Sequence, residues 1–151
     1  MPHVEAWWHE RLDLAGLEVK YGPRIDGNEP THVFLIEYCA QPIGWIQWYR
    51  WADYPEHGAR LGAEEDSAGI DLAIGAPELT GRGLGPLVIR AFLEQLVFAE
   101  RGITACVSDP ETQNTRSLRA FEKAGFVRMR TVHIPGESYS RTVVRCSATR
   151  L

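Results

Sequence analysis

Residues 69–96, GIDLAIGAPELTGRGLGPLVIRAFLEQL, change character twice within one short stretch. An apolar, strand-like run carrying a single acid, Asp71, gives way to a glycine patch and then to an apolar helix expected over about 84–100. Glycines between a strand and a helix leave backbone N–H groups uncovered at the helix N-terminus, where the partial positive charge favours a phosphate. Gly83 and Gly85 lack the side chain that would hold a phosphate away from the backbone, and Arg82 adds a charge. A dinucleotide fold requires G-x-G-x-x-G and a parallel sheet, whereas here Pro86 follows Gly85 and there is no Walker lysine. The plain alternative for the patch is a tight strand–helix turn.

The flanking segments set this unit in a mixed sheet. MPHVEAWWHERLDLAGLEVKYGPRIDG reads as a weak helix ending near Gly22-Pro23. THVFLIEYC and GWIQWYRW form an antiparallel hairpin turned at QPIG. Residues 52–68, polar, acidic and dotted with Gly and Pro, read as a long loop of the kind that is often functional. A strand over 69–75, the glycine patch and its helix follow, then a short strand ITACVS at 103–108. Residues 114–124 form a second helix with Leu118, Phe121 and Ala124 on one face and Gly125 as its C-cap. FVRMRTVHI, the turn PGES and YSRTVVRCS make a closing hairpin.

At 151 residues the chain is read as a single domain, 1–151, large enough for its own core. No apolar run approaches the ~20 residues of a membrane span, and no charged-then-apolar leader is present, which implies a cytoplasmic protein. Cys39, Cys106 and Cys146 are odd in number and widely spaced, so reduced, buried thiols are expected rather than disulfides. A net charge of -4 argues against a nucleic-acid surface and suits a cationic partner. The histidines show no metal spacing.

TGRGLGPLVIRAFLEQL followed by VSDPETQNTRSLRAFEKAGFVRMRTV resembles the GCN5-related N-acetyltransferase (GNAT) superfamily. Within it, PHVEAWW, YGPRIDG, PIGWIQWY, GIDLAIG and SDPETQNTRSLRAFEKAGF resemble the aminoglycoside 6'-N-acetyltransferases, from about residue 2 to residue 145. The resemblance implies an α/β (α+β) GNAT fold, with a mostly antiparallel sheet splayed between the strands at 69–75 and 103–108 and helices on both faces. It implies acetyl-CoA as cosubstrate, bound along Leu72, Ile74, Thr80, Gly81, Arg82, Gly83, Leu84, Gly85 and Pro86. Asn114, Arg119, Phe121 and Lys123 would hold the coenzyme from the second helix, with Asn114 and Phe121 flanking the pantetheine arm. Family members carry a further strand and helix ahead of the PHVEAWW stretch, so the sheet would lack its first edge strand. Many have Tyr where this chain has Phe121; phenylalanine cannot protonate a departing thiolate.

The chemistry sets its own requirements. A thiolate, with a pKa of about 8.5, is a tolerable leaving group, so loss of the acid need not stop turnover. A substrate amine is mostly protonated at neutral pH, so an acidic group must attract it and a base must take its proton. Asp71, interrupting an apolar run, is the candidate base, against a plain strand-end carboxylate. By resemblance, the oxyanion donor is a backbone N–H at Leu72 or Ala73, Asp71 touches the sugar amine and Asp109 meets the aminoglycoside. Asp53, Glu65 and Asp66 of the acidic loop would extend an electronegative cleft, and Trp48 and Tyr49, on alternating faces of a strand with Trp51, would line a sugar pocket. Solvated loop and core packing are their ordinary roles. The expected reaction is direct acetyl transfer to a primary amine, most simply an aminoglycoside 6'-amine, by a monomer or homodimer. Acylation of a siderophore precursor or peptide, and a silent acyl-CoA-binding module, are the alternatives.

Overall fold

The computed structural model describes residues 1–10 and 13–151. The expected N-terminal helix divides into α1 (Pro2–Glu5) and α2 (Leu14–Ile25), with residues 11 and 12 of that reading outside the described residues. Asp13 caps α2 by accepting the Gly16 N–H at 2.8 Å. The helix runs through Pro23 rather than stopping there. Only two helical residues follow the proline, and Arg24 ties that end to the sheet through Gln47 and to the next loop through Glu29.

β1 (Thr31–Tyr38) and β2 (Gln41–Arg50) form the first hairpin, but its turn is Cys39-Ala40, not QPIG. Both turn residues are left-handed, at φ 50° and 60°, the geometry that matches strand twist without the Asn-Gly signature. Gln41 to Gly44 therefore lie inside β2, and Cys39 is exposed, unlike the buried Cys106 and Cys146.

The expected loop at 52–68 is largely ordered. A 3-10 turn (Trp51–Asp53) leads into α3 (Pro55–Leu61), opened by Pro55 at its first turn and closed by left-handed Gly62. Burial of Trp51 and Leu61 against Val107 and Val143 holds this polar segment helical.

β3 (Ser67–Ile74), α4 (Leu84–Phe92), β4 (Ala105–Ser108), α5 (Thr115–Lys123), β5 (Val127–His133) and β6 (Ser140–Ser147) complete the order. The helix after the glycine patch is α only to Phe92; a π turn, Leu93–Val97, ends it. The sheet runs β1-β2-β3-β4-β6-β5, antiparallel except between β3 and β4. That parallel pair has two rungs, Ser67↔Ala105 and Ala68↔Cys106. Just past the rungs Ser108, 3% exposed, stands between the strands: its hydroxyl donates to the Ile70 carbonyl at 3.0 Å and accepts the Ile70 N–H at 3.4 Å.

Side chains of β3 alternate between two faces. Ile70, Leu72 and Ile74 pack with Ile89, Leu93, Leu118 and Phe121 in the larger core under α4 and α5. The opposite face carries a smaller core of Trp51, Leu61, Val107, Ile134 and Val143 under α3. Helices therefore cover both faces, as the sequence implied.

Candidate active site

Where β3 and β4 part, a cleft of about 930 Å³ opens, bounded by α1 and α2, the α4 and α5 N-termini, and the tip of the β5–β6 hairpin. One wall is largely backbone. Gly81 and Gly83 sit at φ +76° and +79°, a region costly for side-chain-bearing residues, and a Cβ on either would meet no protein atom within 4 Å. Gly83 is the N-cap of α4 and offers no side-chain oxygen, so the first-turn N–H groups remain available. Gly85 has a different job: its Cβ position lies 3.4 Å from Ala120 Cβ, so α4 packs closely on α5. Asn114 caps α5, its side-chain oxygen accepting the Ser117 N–H at 3.1 Å, while also lining the cleft.

Backbone alternation bears on the oxyanion donor. The Ile70 N–H faces Ser108 across the splay, so the Leu72 N–H, two residues on, faces the same gap beyond the last rung. Ala73 is out of phase and its backbone turns toward β2. At the far end, His3 of α1 hydrogen-bonds the Ile74 carbonyl at 3.0 Å.

The other wall is built of side chains. Asp71 is held by Gln47, 6% exposed, whose amide donates to Oδ2 at 2.8 Å. The Gln47 carbonyl in turn accepts Arg24 Nη1 at 3.0 Å, which fixes which way the amide points. Burial pushes the Asp71 carboxyl above the ordinary range; the Gln47 bond, Arg141 and Arg24 oppose this, and nearby Asp109 reinforces it. A glycine before Asp71 is required because a Cβ at Gly69 would fall 2.4 Å from the Tyr49 ring. That ring is buried against Trp51 and Tyr54, which raises the phenol pKa well above its usual value.

Asp109, at the end of β4, is 8% exposed and engaged twice, by His57 Nε2 at 3.1 Å and by Arg141 Nη1 at 3.3 Å. Arg141 also forks onto Glu137, with both bonds at 2.7 Å, lowering the Glu137 pKa and raising its own. Glu111 bonds His9, whose ring stacks on Tyr139 at 4.7 Å, and Glu10 pairs with Lys20.

Leu72, Ala73, Ile74, Thr80, Gly81, Gly83, Gly85, Pro86, Asn114, Arg119, Phe121 and Lys123 line the cleft, together with Asp71 and Asp109. Phe121 is largely buried and packs edge-on against Phe126. Several expected positions fall elsewhere. Arg82 is exposed outside the lining, and Leu84 packs against the larger core. Trp48 is buried on the α4–α5 side, stacked on His32 at 4.7 Å, and Tyr49 belongs to the aromatic cluster beside Trp51 rather than to the cleft surface. Asp53, Glu65 and Asp66 are exposed away from the cleft; Asp66 accepts a bond from Thr104 at 2.7 Å. The ordering of α3 and the pairing of this loop with β4 carry these acids outward. Sequence reasoning missed Gln47, Arg24, Ser108, Glu137, Tyr139 and Arg141. Gln47, a lone amide inside the apolar GWIQWY, was the available signal. Among the described residues no His, Cys, Asp or Glu group is arranged to hold a metal ion.

Comparison with known proteins agrees with this geometry. The profile of the acetyltransferase (GNAT) domain matches residues 1–134. The aminoglycoside N(6')-acetyltransferase type 1 of Klebsiella pneumoniae is 31% identical over 144 residues, 88% of this chain and 67% of that protein. A kanamycin resistance protein of Rhizobium radiobacter is 40% identical over 67 residues, 44% of this chain and 61% of that protein. Among solved structures, the aminoglycoside acetyltransferase AAC(6')-Ib bound to coenzyme A superimposes with a TM-score of 0.82 at 27% identity, covering 99% of this chain and 85% of that one. With the splayed sheet, the glycine turn and α5 all in place, the chain is a member of the GNAT acetyltransferase family.

Proposed function

We propose that the protein transfers the acetyl group of acetyl-CoA to a primary amine, the 6'-amine of an aminoglycoside, by direct attack. The observation that carries this reading is a carboxylate, Asp71, set beside a backbone donor at the mouth of a splayed strand pair. The similarity to aminoglycoside 6'-N-acetyltransferases, one of them solved with coenzyme A and kanamycin, supports the acceptor.

The residues divide the work. The backbone of Gly81–Gly85 and the α4 N-terminus receive the coenzyme phosphates. Acetyl-CoA supplies a thioester carbonyl, and the Leu72 N–H is the donor for the oxygen that gains charge. Asp71 Oδ2 is held by Gln47, leaving Oδ1 to attract the ammonium and take its proton, directly or through a water. Burial aids that role, because a carboxylate with a raised pKa is a stronger base. Phe121 holds no proton to give, so the thiolate leaves unprotonated or takes its proton from water. Residues 1–151 act as one catalytic domain in the cytoplasm, as monomer or homodimer.

Thiol release from acetyl-CoA tests the assignment. Release with kanamycin or ribostamycin is expected. Release with lysine derivatives alone would move the acceptor to a peptide or siderophore precursor, and coenzyme binding without release would leave a silent binding module.

A further inference from the structure

Gln47 and Asp71 are register partners across the β2–β3 ladder, so their side chains leave the sheet on the same face, side by side. Trp45 and Tyr49, two positions to either side of Gln47 on β2, share that face. A glutamine amide buried among them has two ends of nearly the same shape and opposite sense, one donating and one accepting. Its neighbours leave it a single arrangement. A guanidinium only donates and an ionised carboxylate only accepts, so Oε1 must turn to Arg24 and Nε2 to Asp71. The observed bonds obey this, at 3.0 Å from Arg24 Nη1 and 2.8 Å to Asp71 Oδ2. Arg24 is itself held in place: Glu29 accepts its Nε–H at 3.0 Å, and the guanidinium lies over the Tyr21 ring at 5.3 Å.

The chain Glu29–Arg24–Gln47–Asp71 thus runs in one electrical direction, and that direction bears on Asp71. A protonated carboxyl has an O–H to donate, but the amide oxygen that would accept it is turned away to Arg24. Toward Asp71 the amide presents only N–H, which suits a carboxylate that accepts. We infer that Arg24 is a positioning residue for Asp71: acting through the Gln47 amide, it holds the carboxylate as an acceptor, with its second oxygen left for the amine. This rests on the acetyl-transfer reading above and adds a residue that works one amide away from the reacting carboxylate. Other groups act on the same carboxyl. Burial raises its pKa, the Gln47 bond lowers it, Asp109 at the end of β4 raises it, and Arg141 of β6 and Arg24 lower it. Tyr21, Tyr49 and Cys106 also feel Asp71 or stand beside it; their own pKa values are raised, so they stay neutral where Asp71 titrates.

The test follows the Asp71 carboxyl carbon by NMR through a pH titration of the protein, as wild type, Arg24→Met, Gln47→Met and the double variant. Each single change breaks the bonded chain, so the Asp71 midpoint should rise by about one pH unit. The double variant should lie within about 0.3 unit of Gln47→Met, because nothing remains for Arg24 to act through. Arg24→Lys keeps a charged donor and should bring the midpoint back toward wild type. Arg24→Ala stands in for Arg24→Met should the methionine variant not fold. An unmoved midpoint on loss of the Arg24 side chain overturns the inference. Shifts that add in full in the double variant overturn it too, since Arg24 would then act by its charge alone. The acidic limb of kcat/KM with kanamycin should move by the same amounts, a loss of about tenfold at a pH below both limbs. A mere loosening of the α2 end would lower the rate at every pH and move neither midpoint nor limb. If the midpoint moves and the limb does not, the action of Arg24 on Asp71 is upheld, and the assignment of Asp71 as the base is what falls.

Discussion

The two walls of the cleft are built on different principles. The wall we assign to the coenzyme is local: a left-handed glycine turn, a helix start and a second capped helix, each specified by a few neighbouring residues. The acceptor wall is assembled from α1, α2, β2, the end of β4 and the β5–β6 hairpin, and its contacts span the chain. His9 and Glu111 lie 102 positions apart, Arg141 and Asp109 32 apart. Backbone geometry suits a ligand part that never changes, whereas side chains suit the part that defines the substrate. Substitutions on one wall should accordingly leave the other ligand's binding alone.

The sharpest separation is expected at Asp71. Asp71→Asn keeps the shape and the Gln47 contact but cannot take a proton, so kcat should fall about 10²–10⁴-fold while coenzyme affinity holds. Because burial raises the Asp71 pKa, the acidic limb of the wild-type kcat/KM profile should lie above the ordinary carboxylate range, with activity rising as pH increases through it. The stability effect has the opposite sign. A folded-state pKa above the unfolded value means that ionised Asp71 costs stability, in full above the folded pKa and not at all below the unfolded one. Asp71→Asn should thus raise Tm at neutral pH, with the gain disappearing in acid. An unchanged rate, or a loss of coenzyme binding in step with the rate, would break the division between the walls.

Gly83→Val should act on the other wall, weakening coenzyme binding about tenfold or more and leaving the acceptor KM in place, with roughly 1–2 kcal/mol of stability also lost to its left-handed backbone. Gly85→Val makes the informative contrast. Its added methyls press on Ala120 across the α4–α5 contact, so the loss should appear in Tm, by roughly 1–3 kcal/mol of overpacking. If both variants lose binding and stability in the same proportion, the turn is only a strand–helix connection. The smallest effect is expected for Asp53→Asn combined with Glu65→Gln. Both acids are exposed off the cleft, so the acceptor KM should stay within about twofold at physiological salt, where such charges are screened.

This difference in construction also explains what was readable in the sequence. The glycine patch and the Asn114 helix are short-range signals, and both elements lie where the sequence put them. The splay between the two central strands followed from the resemblance of two separate motifs. The acidic loop misled because its composition is polar, while two side chains, Trp51 and Leu61, fold it as a helix onto the sheet and carry Asp53, Glu65 and Asp66 away. The QPIG turn misled because the chain reverses at Cys39-Ala40, two residues whose left-handed backbone no propensity favours. The pairing of Arg141 with Asp109 and Glu137 depends on two strand ends meeting in space, and no local pattern encodes that.

Ser108 has a mechanical consequence. β1–β3 and β4–β6 are two three-stranded leaves whose strands meet in a pair of rungs and one hydroxyl, with Thr104–Asp66 and Trp51–Val107 bonds beside them, fewer ladder links than either leaf has within itself. The seam is the most compliant line in the sheet, and beyond it the Leu72 amide has no strand partner to slow its exchange with solvent. A molecule wedged into the seam and bonded to both leaves works as a missing strand does. It stiffens the sheet along its weakest direction, and the protein is at its most rigid only while gripping what it works on.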